Sequence, residues 1–373
     1  MSTVNYWSSR RAPLAWAALL FVTAQPLRAD DLAEALTKHM AAAAEKDGFS
    51  GSVLVTKDGQ PLLSQGYGFA NREYEIRNTP QTKFRIGSVT KQFTAMAVMI
   101  LQERGKLKVD DPISKYLDDA PQAWDGITIH HLLCHTSGIP SYTGFPQMMS
   151  RTVRLPATVD EVIATFKDKT LEFQPGEQFA YSNSGYHVLG KIIEKASGQD
   201  YETFLREAIL QPLELNDTGY DHAATLLPRR ASGYSRTPKG LTNAPYIDMS
   251  WPYAAGAIYS TVEDLARWDQ ALSSGKLVGP ESYQAMYTPV KQNYGYGWTI
   301  RQRDGHQEIS HNGGIHGFSS SLVRYPADKV CVVVLSNVIP APTDRLAHEL
   351  AGIVLGERAL AAKEEKKPEP KCD

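Results

Sequence analysis

Ser88 and Lys91 stand three residues apart in Gly87-Ser88-Val89-Thr90-Lys91. A serine hydroxyl one helical turn from a lysine amine is an arrangement suited to nucleophilic acyl transfer, the amine taking the proton as the oxygen attacks. The spacing alone is weak, because Ser-x-x-Lys is expected about once by chance in a chain of this size. Ser273 and Lys276 repeat it, in a Ser-Ser-Gly stretch that ends a helical run and orients nothing. Ser88 differs in following a glycine at the start of an apolar helical run, where the helix dipole is positive and backbone N–H groups are free. Burial there lowers a lysine from its usual value of about 10.4 and makes a neutral amine available. An N-cap serine beside a lysine that extends to solvent fits the same residues.

Two further groups carry polar chemistry. Tyr181-Ser182-Asn183 follows the turn Gln174-Pro175-Gly176-Glu177 and is the chain's only Tyr-x-Asn. A lysine ammonium nearby would lower the phenol from about 10 and let it shuttle a proton to a leaving group. Asn183 could hydrogen-bond both Lys91 and a substrate amide, and an N-cap with a packed tyrosine is the structural alternative. His311-Asn312-Gly313-Gly314 ends a strand that begins near Gln307. Its glycines would admit a ligand close to the backbone, with the Gly314 N–H as an oxyanion donor, or would simply make a tight turn.

These groups need a scaffold, and the pattern around them supplies one. Residues 31–46 read as a helix stopped by Gly48. Residues 52–56 and 61–65 flank an Asp58-Gly59 turn, a hairpin signal. From Ser88 to Arg104 apolar residues occupy nearly the whole circumference, which predicts a buried helix ended by Gly105. The middle, about 110–275, holds helical stretches at 159–166, 184–196 and 261–272 between Pro- and Gly-rich loops. Strands are predicted at 296–301, 307–311, 318–325 and 330–336, then a helix over 343–362. The expected fold class is α+β: one antiparallel sheet built from both chain ends and covered by the terminal helices, plus an inserted mainly helical lobe. The sheet lobe would take about 30–85 and 285–362, and the helical lobe about 86–284.

Arg10 and Arg11 precede an apolar run from Ala12 to Ala24, with Val22 and Ala24 where a signal peptidase favours small residues. Residues 1–24 are therefore expected to be a secretory signal, cleaved there or as late as Ala29, and the product to be periplasmic or secreted. The run is short of the roughly 20 residues of a spanning helix, so no stable membrane insertion is expected after cleavage. Residues 363–373 form a charged tail. Cys134, Cys331 and Cys372 are too few for a disulfide framework. A net charge of -2, from 39 basic and 41 acidic residues, excludes the basic footprint of a nucleic-acid binder. The partner expected is a small-molecule or peptide substrate, with no cofactor. His131, Cys134 and His135 share a helical face, but nothing completes a zinc site around them. An α/β-hydrolase would need a Gly-x-Ser-x-Gly elbow, which the sequence lacks.

Ser88-x-x-Lys91, Tyr181-x-Asn183 and the segment from His311 to Gly314 together resemble the serine β-lactamase and penicillin-binding-protein superfamily. The likeness extends to Phe84-Arg85-Ile86-Gly87, to residues 129–138 and to His311 through Ser320, nearly the whole mature chain. The Tyr-x-Asn motif is similar to the branch holding class C β-lactamases, DD-carboxypeptidases, D-aminopeptidases and β-lactamase-like esterases. The resemblance implies a β-lactamase/transpeptidase-like fold and an acyl-enzyme at Ser88. It also implies activation and leaving-group protonation shared by Lys91 and Tyr181, and substrate binding by Asn183, His311, Asn312 and Gly313. The oxyanion hole would be made by the N–H groups of Ser88 and Gly314. His311 departs from the Lys-Thr-Gly of efficient β-lactamases and weakens the expected grip on a β-lactam carboxylate. It points to D-amino-acid peptides or amides first, then to an esterase or weak β-lactamase. A penicillin or cell-wall-fragment sensor, acylated but not turned over, is the non-catalytic alternative. Residues 129–138 are implied to be a helix running into a Thr136-Ser137-Gly138 turn rather than a metal site.

Overall fold

The structure is a computed structural model that describes residues 1–3, 28–150 and 152–356. The apolar run of the predicted leader, Cys372, the charged tail and the expected helix beyond 356 lie outside the described residues.

Helix α1 (Ala29–Lys46) leads into the strands β1 (Gly51–Lys57) and β2 (Gln60–Tyr67). Asp58 and Gly59 between the strands take φ of 51° and 75°, the doubly positive turn that matches the twist of a hairpin. Four strands come from the other end of the chain: β3 (Thr299–Arg303), β4 (His306–Ile315), β5 (Phe318–Tyr325) and β6 (Val330–Ser336). All six form one sheet in the order β3-β4-β5-β6-β1-β2, with every neighbouring pair antiparallel. The two chain ends meet where β1 pairs with β6, from Gly51 opposite Ser336 to Lys57 opposite Val330.

Alternation along the central strands sorts side chains to the two faces. Val53, Val55, Val332 and Val334 pack against Leu36 and Met40 of α1 and against Leu346 and Leu350 of the C-terminal helix Thr343–Leu355. Leu54, Val333 and Leu335 face the larger core that the helical lobe fills. Glu308 on β4 ties the C-terminal helix to the sheet. Its buried carboxylate accepts hydrogen bonds from Ser310 Oγ (2.8 Å), Arg303 Nε (2.8 Å), Tyr325 Oη (3.1 Å) and His348 Nε2 (3.1 Å). Burial alone would raise its pKa, but the hydrogen bonds and charges of His348, Ser310 and Arg303 outweigh it and hold the group at about 2.

The lobe is centred on α2 (Thr90–Glu103), buried from Thr90 through Leu101, which is why its sequence shows no polar face. Helices α3 (Asn183–Ser197) and α4 (Val262–Ser274) flank it. The lobe is mainly helical, as expected, and also carries short strands: Phe84–Arg85, Gly219–Tyr220 and Ile258–Ser260 form a small sheet, and Tyr234–Thr237 pairs with Gly240–Asn243. These segments are two to four residues long, too short for an alternation to register.

Two strand expectations are corrected. The strand placed at 296–301 begins only at Thr299, because Gly297 takes φ +76° and lies against α2, where a Cβ would come within 2.6 Å of Lys91 O. The strand placed at 307–311 continues to Ile315, so His311 to Gly314 lie within it and the turn falls at Gly317, φ +82°. Among the described residues no helix is long and apolar enough to cross a membrane.

Candidate active site

Ser88 lies in a single 3-10 turn, Gly87–Val89, that runs directly into α2. The turn is fixed from two sides: Ile86 N–H donates to Ile258 O (3.0 Å), and Ser320 Oγ on β5 donates to Ile86 O (2.7 Å). Gly87 takes φ +51°, and a Cβ there would come within 3.0 Å of Gly314 N. A Cβ on Gly313 would lie 2.2 Å from Ile86 O and 3.0 Å from Ser88 N. The glycines therefore let β4 touch the serine turn backbone to backbone, putting the amides of Ser88 and Gly314 on two abutting segments.

Lys91 is fully buried, and burial holds its pKa well below the ordinary lysine value. Its Nζ has three oxygen neighbours: Asn183 Oδ1 at 2.8 Å, Ala255 O at 2.9 Å and Ser88 Oγ at 3.3 Å. The two closer ones only accept, while the third is a hydroxyl that can also donate. A neutral amine is thus satisfied completely by donating to the two carbonyl oxygens and receiving the proton of Ser88. Asn183 is held for this by Thr143 Oγ1, which its Nδ2 reaches at 3.1 Å, and by its own N–H on Ser141 Oγ at 3.1 Å.

Tyr181 precedes α3, with Ser182 as the N-cap whose side chain accepts from Gly185 N–H. Its ring stands over Lys91, Nζ 4.8 Å from the centroid, and its residue surface remains 38% exposed toward the cleft. The expected lowering of its pKa is reversed. Burial of the hydroxyl raises it, a hydrogen bond with Ser88 offsets only part of this, and a neutral Lys91 supplies no cation to pull it down. The phenol is a proton donor in the resting site.

His311, on β4, is likewise neutral: burial, with Lys91 as the second cause, pushes it down to about 3. Its Nδ1 lies against Asn312 O, which makes Nδ1 the donor. Nε2 then accepts from Tyr294 Oη at 2.8 Å. Both ring nitrogens are occupied, and the imidazole offers no positive charge to a ligand.

Ser88 and Gly314 border two openings. One is a recess of about 90 Å³ walled by Tyr142, Val153, Ile247, Trp251 and Ile315, with Asn183, Thr143 and His316 as its polar edge. The other is an open cleft of about 510 Å³ that passes Tyr181, Asn312 and Gly313 to Asp344 and Arg345. Arg345 is already engaged by Asp47 and by both carboxylate oxygens of Glu349. A carbonyl placed beside Ser88 Oγ would have a neutral base behind the nucleophile, an acid at its side and backbone amides within reach.

The structure thus brings together Ser88, Lys91, Tyr181, Asn183, His311, Asn312, Gly313 and Gly314. The competing Ser273 is elsewhere: its Oγ accepts from the buried Arg324, and Lys276 Nζ donates to Pro212 O. His131, Cys134 and His135 also separate. His131 caps the helix Ile129–Leu133, Cys134 Sγ lies 3.0 Å from His130 O, and His135 turns toward Tyr181. Ala255, Tyr294, Ser141 and Thr143 were not singled out in the sequence. A backbone carbonyl has no sequence signal, Ser141 and Thr143 belong to a single 3-10 turn at Tyr142–Gly144, and Tyr294 lies in an irregular stretch, all too short for periodicity.

The sequence profile of the beta-lactamase family matches residues 32–355. PbpX of Bacillus subtilis (strain 168) is 33% identical over 293 residues, 78% of this chain and 71% of that protein. The octameric penicillin-binding protein homologue from Pyrococcus abyssi superposes with a TM-score of 0.78 at 32% identity, over 87% of this chain and 78% of its own. The D-stereospecific amidohydrolase from a Streptomyces species superposes with a TM-score of 0.74 at 26% identity, over 87% of this chain and 99% of its own. A serine and a buried lysine joined across one turn, on a fold shared with these proteins, fit the match along almost the whole described chain: it belongs to the beta-lactamase family of serine hydrolases.

Proposed function

We propose that the protein hydrolyses D-amino-acid amides or peptides through an acyl-enzyme on Ser88. The observation that carries the mechanism is the environment of Lys91 Nζ, buried, with two carbonyl oxygens taking its protons and the Ser88 hydroxyl at the third position. In acylation the Ser88 Oγ–C bond forms while the hydroxyl proton passes to Lys91. The ammonium so created lies beside the negative charge appearing on the substrate oxygen, which the N–H groups of Ser88 and Gly314 receive. As the C–N bond breaks, the leaving nitrogen takes the Tyr181 proton and Lys91 restores it. Water then repeats the sequence in reverse on the ester.

Three features support the substrate class. Among the described residues, the neutral His311 and the paired Arg345 leave the leaving-group side without a free cation, which disfavours a terminal carboxylate or a β-lactam carboxylate. The recess beside Ser88 has aromatic and aliphatic walls suited to an uncharged acyl side chain. The likeness to the Streptomyces amidohydrolase points the same way. Export through the leader expected at residues 1–24, and action in the periplasm or outside the cell, belong to the same proposal. So does the division into a sheet lobe and a helical lobe at the boundaries given above.

The test is turnover of a D-amino-acid anilide, a D-Ala-D-Ala peptide, a short-chain aryl ester and a chromogenic cephalosporin, with mass spectrometry of the quenched enzyme. The anilide is expected to lead, with an acyl adduct on Ser88. Unchanged turnover by Ser88→Ala would overturn the mechanism, and a lead by the aryl ester or the cephalosporin would overturn the substrate class.

A further inference from the structure

His135 is a buried histidine to which the acyl-transfer chemistry assigns no part. It takes φ +59°, in the left-handed region that few side chains enter. Its backbone carbonyl accepts the N–H of Ala180 at 3.0 Å, and its imidazole Nδ1 accepts the N–H of Ser182 at 3.1 Å. One residue therefore grips the chain immediately before and immediately after Tyr181. The imidazole also lies under the Tyr181 ring, 4.2 Å between centroids at a tilt of 37°, and 4.8 Å from the ring of Tyr294.

Accepting at Nδ1 puts the ring proton on Nε2. Among the described residues that nitrogen has no oxygen or nitrogen partner, and it is buried among the rings of Tyr181, Tyr186 and Tyr294. An N–H aimed among aromatic faces is satisfied by them, weakly but directionally. The outer surface of Tyr181 is open to the cleft, so apart from the hydrogen bond of its hydroxyl with Ser88 the ring is held from below.

We propose that His135 is a positioning residue that aims the Tyr181 hydroxyl at the leaving group, by bracketing the Tyr181 backbone and stacking under its ring. The inference rests on the acyl-transfer reading above. It makes a demand that a merely structural role does not. Misaiming Tyr181 harms a substrate whose leaving group must be protonated and spares one whose leaving group departs as a stable anion.

The experiment compares His135→Asn and His135→Phe with the parent enzyme on a D-amino-acid anilide and on a nitrophenyl ester of the same acyl group. Asparagine tolerates the left-handed backbone and keeps an acceptor for Ser182 but loses the stack; phenylalanine keeps the stack and loses the acceptor. Each is expected to lower kcat on the anilide about 100-fold with KM within about threefold, and kcat on the ester by less than about tenfold. In a Tyr181→Phe background the anilide-specific loss should disappear. Either variant decides the matter if the other fails to fold. Equal losses on both substrates, or an undiminished loss in the Tyr181→Phe background, would overturn the role of His135 while leaving Ser88 chemistry intact. Activity surviving Ser88→Ala would instead remove the reading on which it rests.

Discussion

Tyr294 donates its hydroxyl to His311 Nε2 across 2.8 Å, so the buried imidazole beside the cleft has neither a free nitrogen nor a charge to offer. Substrates matched except for a carboxylate or a carboxamide on the leaving group should therefore differ in KM by less than about threefold, a surface ion pair being worth little here. Steady-state kinetics on such a pair checks this, and a strong preference for the carboxylate would require a cation that the cleft does not present.

The acid limb of the pH profile should belong to Lys91. Its amine must be neutral to take the Ser88 proton, so kcat/KM falls as pH drops through its lowered pKa. His311, held at about 3, is neutral above that value. His311→Gln should lower the profile without moving its acid limb, and a limb displaced by a full unit would assign it to the histidine.

Gly313→Ala tests the contact between β4 and the serine turn. Its Cβ would meet backbone at 2.2 Å, which the sheet relieves only by moving Gly314 away from Ser88. A loss in kcat of about 100-fold is expected, with a circular dichroism spectrum like the parent's. Gly126→Ala, whose Cβ meets nothing nearer than 3.9 Å, is the steric control and should retain full activity.

The Glu308 carboxylate should make stability fall in acid. Its folded pKa of about 2 lies below the ordinary glutamate value of 4.5, so its contribution is complete above the unfolded value and is lost as pH falls toward 2. The shift corresponds to about 3 kcal/mol. For His348, burial works to lower the pKa but Glu308 overrides it, so the histidine is raised and its share is lost in the opposite direction, as pH rises above its folded value. Urea unfolding at a series of pH values should show Glu308→Gln less stable than the parent at pH 6, with the gap closing below pH 4.

Ser273→Ala separates the two Ser-x-x-Lys pairs. It removes an acceptor from the buried Arg324, whose other partners are Asp269 and Tyr287. Unfolding should show a loss of about 1 to 3 kcal/mol, and the specific activity should be unchanged.

What was legible in the sequence follows from the range of each signal. The hairpin at Asp58-Gly59, the strands 318–325 and 330–336 and the buried helix after Ser88 are encoded by neighbours, and the structure has them with shifts of a residue or two. Ser88, Lys91, Tyr181 and Asn183, singled out by residue type and spacing, lie together in the structure. Ala255 was not singled out, since any residue has a carbonyl. The true extent of β4 was hidden by Asn312-Gly313-Gly314, which reads as a turn, whereas its glycines serve a close approach inside a strand. Tyr181 was read with the wrong direction of pKa shift because only a neighbouring ammonium was weighed, and the burial that raises its phenol has no local sequence signal.

The pairing of Gly51 with Ser336 has a consequence for how the protein comes into being. The hairpin β1–β2 leaves the ribosome first, yet its sheet neighbour is made nearly three hundred residues later, and a lone hairpin is barely stable in water. Ser88 emerges early as well, while the glycines that press against it arrive with β4. Catalytic competence is therefore an event near the completion of synthesis, and truncation before β6 should yield an aggregation-prone chain rather than a weaker enzyme.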